Sequence, residues 1–178
     1  MINHIFNPFV MLEIQKLTEG IETNFRKYVI EESIERIYAC LDLLEEDEIW
    51  RSPNVQSNSV GHLILHLCGN ARQYIHSTLG GMKDNRIRHK EFTTTRYISR
   101  LDLKDLLYTL STEMWLLVRT IPSDQYMKRH RVQCFDMTTL DILIHVIEHF
   151  TYHTGQIVYM TKALKNIDTG FYKDIPLD

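Results

Sequence analysis

The stretch TTLDILIHVIEHFTYHTGQIVYMTKAL, from Thr138 to Leu164, decides the fold. It carries helical rather than alternating periodicity, and Thr138 followed three residues later by Asp141 resembles a capping box, so it reads as one long helix. Within it His145, His149 and His153 stand at successive four-residue steps. An i, i+4 pair turns only about 40° around a helix axis, so its two imidazoles face one way, about one turn apart, and can chelate a single ion. His145 and His153 are separated by about 12 Å of rise, so all three cannot share that ion.

Three further stretches carry the same periodicity. Ile21 to Leu44 repeats Phe25, Val29, Ile30, Ile34, Ile37 and Leu41 at three- and four-residue steps, with Gly20 expected to break it from a shorter N-terminal helix. The second begins at Ser57 or Ser59 and runs to the stop at Gly80-Gly81; the third spans Leu101 to Thr120. Strand signals are weak throughout. The fold expected is therefore all-α: a four-helix bundle with an additional short N-terminal helix. The link from Gly80 to Arg100 is longer than the roughly 2 to 8 residues that join antiparallel neighbours. It can run the length of the bundle, which makes helices two and three parallel and the order up-down-down-up. The tail from Asp168 has no periodicity and is expected to lie extended on the surface.

The chain has 178 residues, 44% hydrophobic and 24% charged, the composition of one domain with a sizeable core. No apolar run approaches the roughly 18 to 20 residues of a membrane span, and the stretch from Met1 to Pro8 lacks the pattern of a signal peptide, so a cytoplasmic location is expected. Cys40, Cys68 and Cys134 form no C-x-x-C pair and read as reduced thiols. A net charge of -3 gives no electrostatic drive toward nucleic acid or anionic lipid. Two basic clusters, Arg86 to Lys90 and Lys128 to Arg131, read as solvated loops, with an anion pocket as the sharper alternative.

Nine histidines are many for this length. Helix two holds His62 and His66 at the four-residue step, and a position such as His66 on a facing helix can supply the third ligand that an i, i+4 pair lacks. His4, His76, His89 and His130 read as ordinary polar residues.

The segment Glu148-His149-Phe150-Thr151-Tyr152-His153-Thr154-Gly155-Gln156-Ile157 resembles the last helix of the DinB-like metalloenzyme superfamily. Asn58 to Asn70, running into Arg72-Gln73, resembles its second helix, and Gly80-Gly81, Asp84, Arg86, Arg88 and Glu91-Phe92 resemble a segment of one subfamily. Together these cover residues 58 to 162. The resemblance implies that His66, His149 and His153 are the metal ligands, that the cofactor is a divalent transition metal, zinc or nickel foremost, and that the protein is a homodimer. It also implies a small-molecule substrate, since acting members include S-transferases and isomerases that use low-molecular-weight thiols. His62 and His145 fall off the ligand positions and read as polar residues lining the cavity or as partners of the ligands.

Chemistry gives a compatible account. Three neutral imidazoles leave the charge of a divalent ion uncompensated and coordination positions open, which suits Lewis-acid hydrolysis or thiol transfer. Asn70 and Gln156 project near the ligand face and can bond an imidazole or substrate, while Glu148, about 100° from His149, is a candidate base rather than a ligand. His145-Val146-Ile147-Glu148-His149 also spells H-x-x-E-H, but the chain is too short for that class of peptidase. Cys68 lies about 160° around the helix from His66, which disfavours a redox thiol. A non-catalytic metal- or ligand-binding bundle is the reading that competes with an enzyme, because a ligand set implies binding rather than turnover.

Overall fold

Three of the long helices begin where a side chain can satisfy the free amides of the first turn. Ser59 accepts from the His62 amide at 3.2 Å, and Ser99 from that of Asp102 at 3.1 Å. The Thr138 hydroxyl accepts from the Asp141 amide at 3.1 Å, while the Asp141 carboxylate accepts from the Thr138 amide at 2.9 Å. The box expected there is therefore complete.

In a computed structural model, residues 8–94, 98–173 and 175–176 are described. Met1–Asn7, with His4 and most of the stretch read for a signal peptide, lies outside the described residues. The helices are α1 (Pro8–Phe25), α2 (Glu35–Leu43), α3 (Glu46–Trp50), α4 (Val60–Ala71), α5 (Lys90–Thr93), α6 (Arg100–Val118) and α7 (Thr139–Lys165). A π-helical stretch, Arg26–Ile34, joins α1 to α2, and another, Arg72–Leu79, extends α4. In both, a hydroxyl reaches the carbonyl five residues back: Ser33 to Tyr28 at 2.6 Å and Thr78 to Gln73 at 2.8 Å. These bonds match the wider spacing of the π ladder.

Gly20 does not break the first helix. It sits inside α1, which runs on through right-handed helical backbone at Phe25 and Glu35. A helical glycine costs about 1 kcal/mol, too little to end a rod held by its neighbours' packing. The expected short N-terminal helix is thus the first part of one long rod.

Contacts between the rods fix their directions. Arg26 lies over Trp115 and the Tyr38 hydroxyl donates to the Lys104 carbonyl, so the first rod opposes α6. Gly61 abuts Trp50, whose Nε1 donates to the Ile98 carbonyl just ahead of α6, while Gly80 abuts Leu117 near its end. The second rod and α6 are therefore parallel. Lys165 at the end of α7 pairs with Glu48 at 3.0 Å, just past the end of the first rod. The order is up-down-down-up, as the long Gly80–Arg100 link implies. Phe25, Ile64, Leu67, Leu107, Leu110 and Phe150 fill the space between the rods, fully buried.

Two features depart from a purely helical expectation. Arg129–Val132 (β1) and Phe135–Thr138 (β2) form an antiparallel hairpin that leads into α7. Its turn carries Gln133 at φ 55, with no glycine to announce it. The tail is not simply extended, since it turns at Phe171–Lys173 and sets Phe171 and Tyr172 against the guanidinium of Arg36.

Candidate metal centre

Antiparallel packing of α4 on α7 brings His66 opposite His149 and His153. One ring nitrogen from each lies within 4.8 Å of the others. Nε2 of His66 and Nε2 of His149 are 3.1 Å apart. Two imidazole nitrogens bound to one tetrahedral zinc at about 2.0–2.1 Å stand about 3.3 Å from each other, so the spacing fits a shared ion. An ion held between them would take a lone pair from each nitrogen.

Two of the three imidazoles are oriented from behind. Nδ1 of His66 donates to Glu91 at 2.8 Å. Both groups are nearly buried, and Arg86 closes the other side of the carboxylate with bonds of 2.7 and 2.9 Å. Burial pushes the Glu91 pKa up, but the bonds from Arg86 and His66 outweigh it and hold the carboxyl below its usual range. Arg86 is anchored by Gln73 at 2.9 Å, which in turn is held by Asp84 and by Gln133 of the hairpin turn. Nδ1 of His153 donates to Gln156 at 2.7 Å. These partners leave Nε2 of both histidines free to ligate, the arrangement that metal-binding histidines commonly show.

Gly69 makes room for the buried carboxylate. A Cβ built at that position would collide with the Glu91 side chain. The glycine of the Gly69-Asn70 pair is thus required by the close approach of a neighbour rather than by its backbone angles.

Of the cluster, His149 is the strongly perturbed titrating group. Burial first, then the neighbouring His153 and His66, lower its pKa to about 3. Burial also lowers that of His153, partly offset by Gln156. An imidazole that resists protonation is ready to ligate, because only the neutral ring offers a lone pair.

The other residues singled out from sequence fall into two groups. His145 stacks on Tyr74 at 4.3 Å and on His149 at 5.4 Å, and Asn70 approaches its Nε2 at 3.4 Å. It buttresses His149 and stands outside the three-histidine cluster. His62 turns away, its Nε2 against the Thr94 carbonyl at 3.3 Å and its ring edge-on to Trp50. Glu148 is exposed, and acts on the cluster as a nearby charge that raises the His145 pKa against the larger effect of burial.

Sequence reasoning missed the role of Glu91 and misjudged Arg86, which is no solvated loop residue: its side chain is only 5% exposed. The signal lay in the Asp84, Arg86 and Glu91 spacing, but nothing in that spacing named His66 as the partner. Burial drives the Cys68 thiol up to about 12, so it stays protonated.

The sequence signature of the family described as "Protein of unknown function (DUF1572)" matches residues 17–173. The chain belongs to the DUF1572 family. Two solved structures share the fold of this DUF1572 chain. A DinB-like protein of Bacillus subtilis, YjoA, superposes with a TM-score of 0.63 at 16% identity, covering 86% of this chain and 96% of that one. A DinB-like protein of Bacillus cereus gives 0.63 at 17% identity, covering 82% and 91%. The DUF1572 chain therefore has a DinB-like helical fold. No curated protein matches it. Among the described residues, no helix is long and apolar enough to cross a membrane.

Proposed function

We propose that this DUF1572 chain is a metal-dependent enzyme of hydrolase or low-molecular-weight-thiol S-transferase type, acting on a small molecule. The observation that carries the reading is the convergence of His66, His149 and His153, with His66 and His153 each oriented by a hydrogen-bonding partner. A zinc or nickel ion held there would supply Lewis-acid chemistry with coordination positions to spare, able to activate a water or a thiol near pH 7.

The chain's own residues prepare that site. Glu91 and Arg86 hold His66 in one tautomer, Gln156 does the same for His153, and the Tyr74–His145 stack supports His149. Phe92 packs on His66 with ring centroids 4.8 Å apart. The proposal includes a cytoplasmic homodimer that engages neither nucleic acid nor membrane.

The first test is the metal content of untagged protein compared with His66→Ala and His153→Ala. Metal in the wild type and its loss in both variants supports the reading; equal content in all three ends it. Metal-dependent consumption of thiols, esters or amides then separates an enzyme from a binding bundle, and size-exclusion chromatography with light scattering reads the subunit number.

A further inference from the structure

Two threonines of α7, Thr151 and Thr161, return their hydroxyls to the carbonyl four residues back, each at 2.9 Å. Thr154, between them, does not: it is only 4% exposed, and its hydroxyl has no hydrogen-bond partner among the described residues. Protein interiors seldom leave such a group unpaired. The next residue, Gly155, stands in the body of α7, where glycine is a poor helix former, and a Cβ built on it would meet nothing within 4 Å. Packing against neighbours therefore gives no reason for it, whereas close approach of another molecule to the backbone does.

Both residues stand on the wall of a cavity of about 590 Å³, the size of a small-molecule site, between the π-helical stretch Arg26–Ile34, α7 and the turn at Phe171–Lys173. Gly155 lies about 160° around α7 from His153, so this cavity and the histidine cluster occupy opposite sides of one helix. Its wall carries three cations, Arg36, Lys162 and Lys173, against two acids, Glu32 and Asp168. Pairing among them is slack. Arg36 gives one nitrogen to Glu32 at 3.2 Å, Lys162 comes only within 3.8 Å of Asp168, and Lys173 has no ion-pair partner among the described residues. The rings of Phe171 and Tyr172, 5.6 and 5.3 Å from the Arg36 guanidinium carbon, hold that group in place with nitrogens to spare.

We infer that this cavity binds a small organic anion, with its carboxylate or phosphate-like head on Arg36 and Lys173 and a planar ring against Tyr28 or the tail aromatics. A guanidinium fork matches two oxygens of such a head, and a rotation of χ1 gives the Thr154 hydroxyl an acceptor. The bare backbone at Gly155 leaves room for the body of the molecule. The site is separate from the metal centre and does not depend on it.

The test titrates nitrogen-15-labelled full-length protein with benzoate, phenylphosphonate and benzyl alcohol, following the amide signals of Gly155 and Gly170. At least one anion is expected to bind about ten-fold or more tightly than the alcohol, and to weaken as sodium chloride rises from about 0.05 to 0.5 M. Whichever anion binds more tightly identifies the head group. Gly155→Leu, which fills the open space, should melt no lower than the wild type and abolish binding. Lys173→Gln, at the surface, should weaken the anions several-fold and leave the alcohol unchanged. Equal affinity for alcohol and anions, anion binding that survives Gly155→Leu or ignores Lys173→Gln, or no response at either glycine overturns the site. None of these readings involves metal content, so this inference and the metal reading stand or fall separately.

Discussion

Glu91 accepts a hydrogen bond from Nδ1 of His66 at 2.8 Å, and this bond decides which nitrogen of the ring is left for an ion. Twenty-five positions separate the two residues along the chain. Glu91→Gln keeps the shape and removes the charge that both His66 and Arg86 use. Metal affinity should fall by about 10- to 100-fold, the usual effect of losing a ligand's partner. Competition with a chromophoric chelator measures it, and unchanged affinity would remove Glu91 from the site.

Gly69→Ala tests the same contact from the other side. Alanine is the better helix former by about 1 kcal/mol, so a helix argument alone predicts stabilisation. The collision of its Cβ with Glu91 should outweigh that gain and cost about 1–3 kcal/mol in urea unfolding. Metal affinity should fall in parallel. A variant that is more stable and binds metal normally would show that Glu91 can move at no cost.

The pH dependence of the metal-free protein follows from His149. Its folded pKa of about 3 lies well below the 6.5 of a free imidazole, so between these values the unfolded state binds more protons. Stability from the neutral ring is complete above pH 6.5 and is lost as pH falls toward 3. His145 and His153, also lowered, act in the same direction, and Glu91 adds to it at lower pH. Melting temperature should fall from pH 7 to pH 4, and His149→Gln should flatten the slope; a flat wild-type profile contradicts the burial argument.

Thr138→Ala removes the hydroxyl that caps α7. The loss expected is about 1 kcal/mol, read as a lower melting temperature. No change would mean that Asp141 and the hairpin hold the helix start without it.

How far the sequence could be read varied with the range of the interaction. The α7 cap, the histidine spacing and the parallel second and third rods rest on local pattern or on chain length, and each is visible in the string of residues. The hairpin is not, because Arg129–Val132 and Phe135–Thr138 are four-residue strands without a glycine turn. Gly20 misled because a local penalty was weighed without the packing of the rod around it. Glu91 stayed hidden for the opposite reason: a carboxylate in a polar loop looks solvated until the fold buries it against an arginine and a histidine.

The three nitrogens come from two helices that run in opposite directions, so their meeting depends on where one helix stops along the other. A slide of α7 by a single residue, about 1.5 Å, would carry His149 and His153 away from His66 together. An ion seated among them would act as a gauge of helix alignment as well as a reagent, and core substitutions far from it could be read in how well the protein still holds its metal.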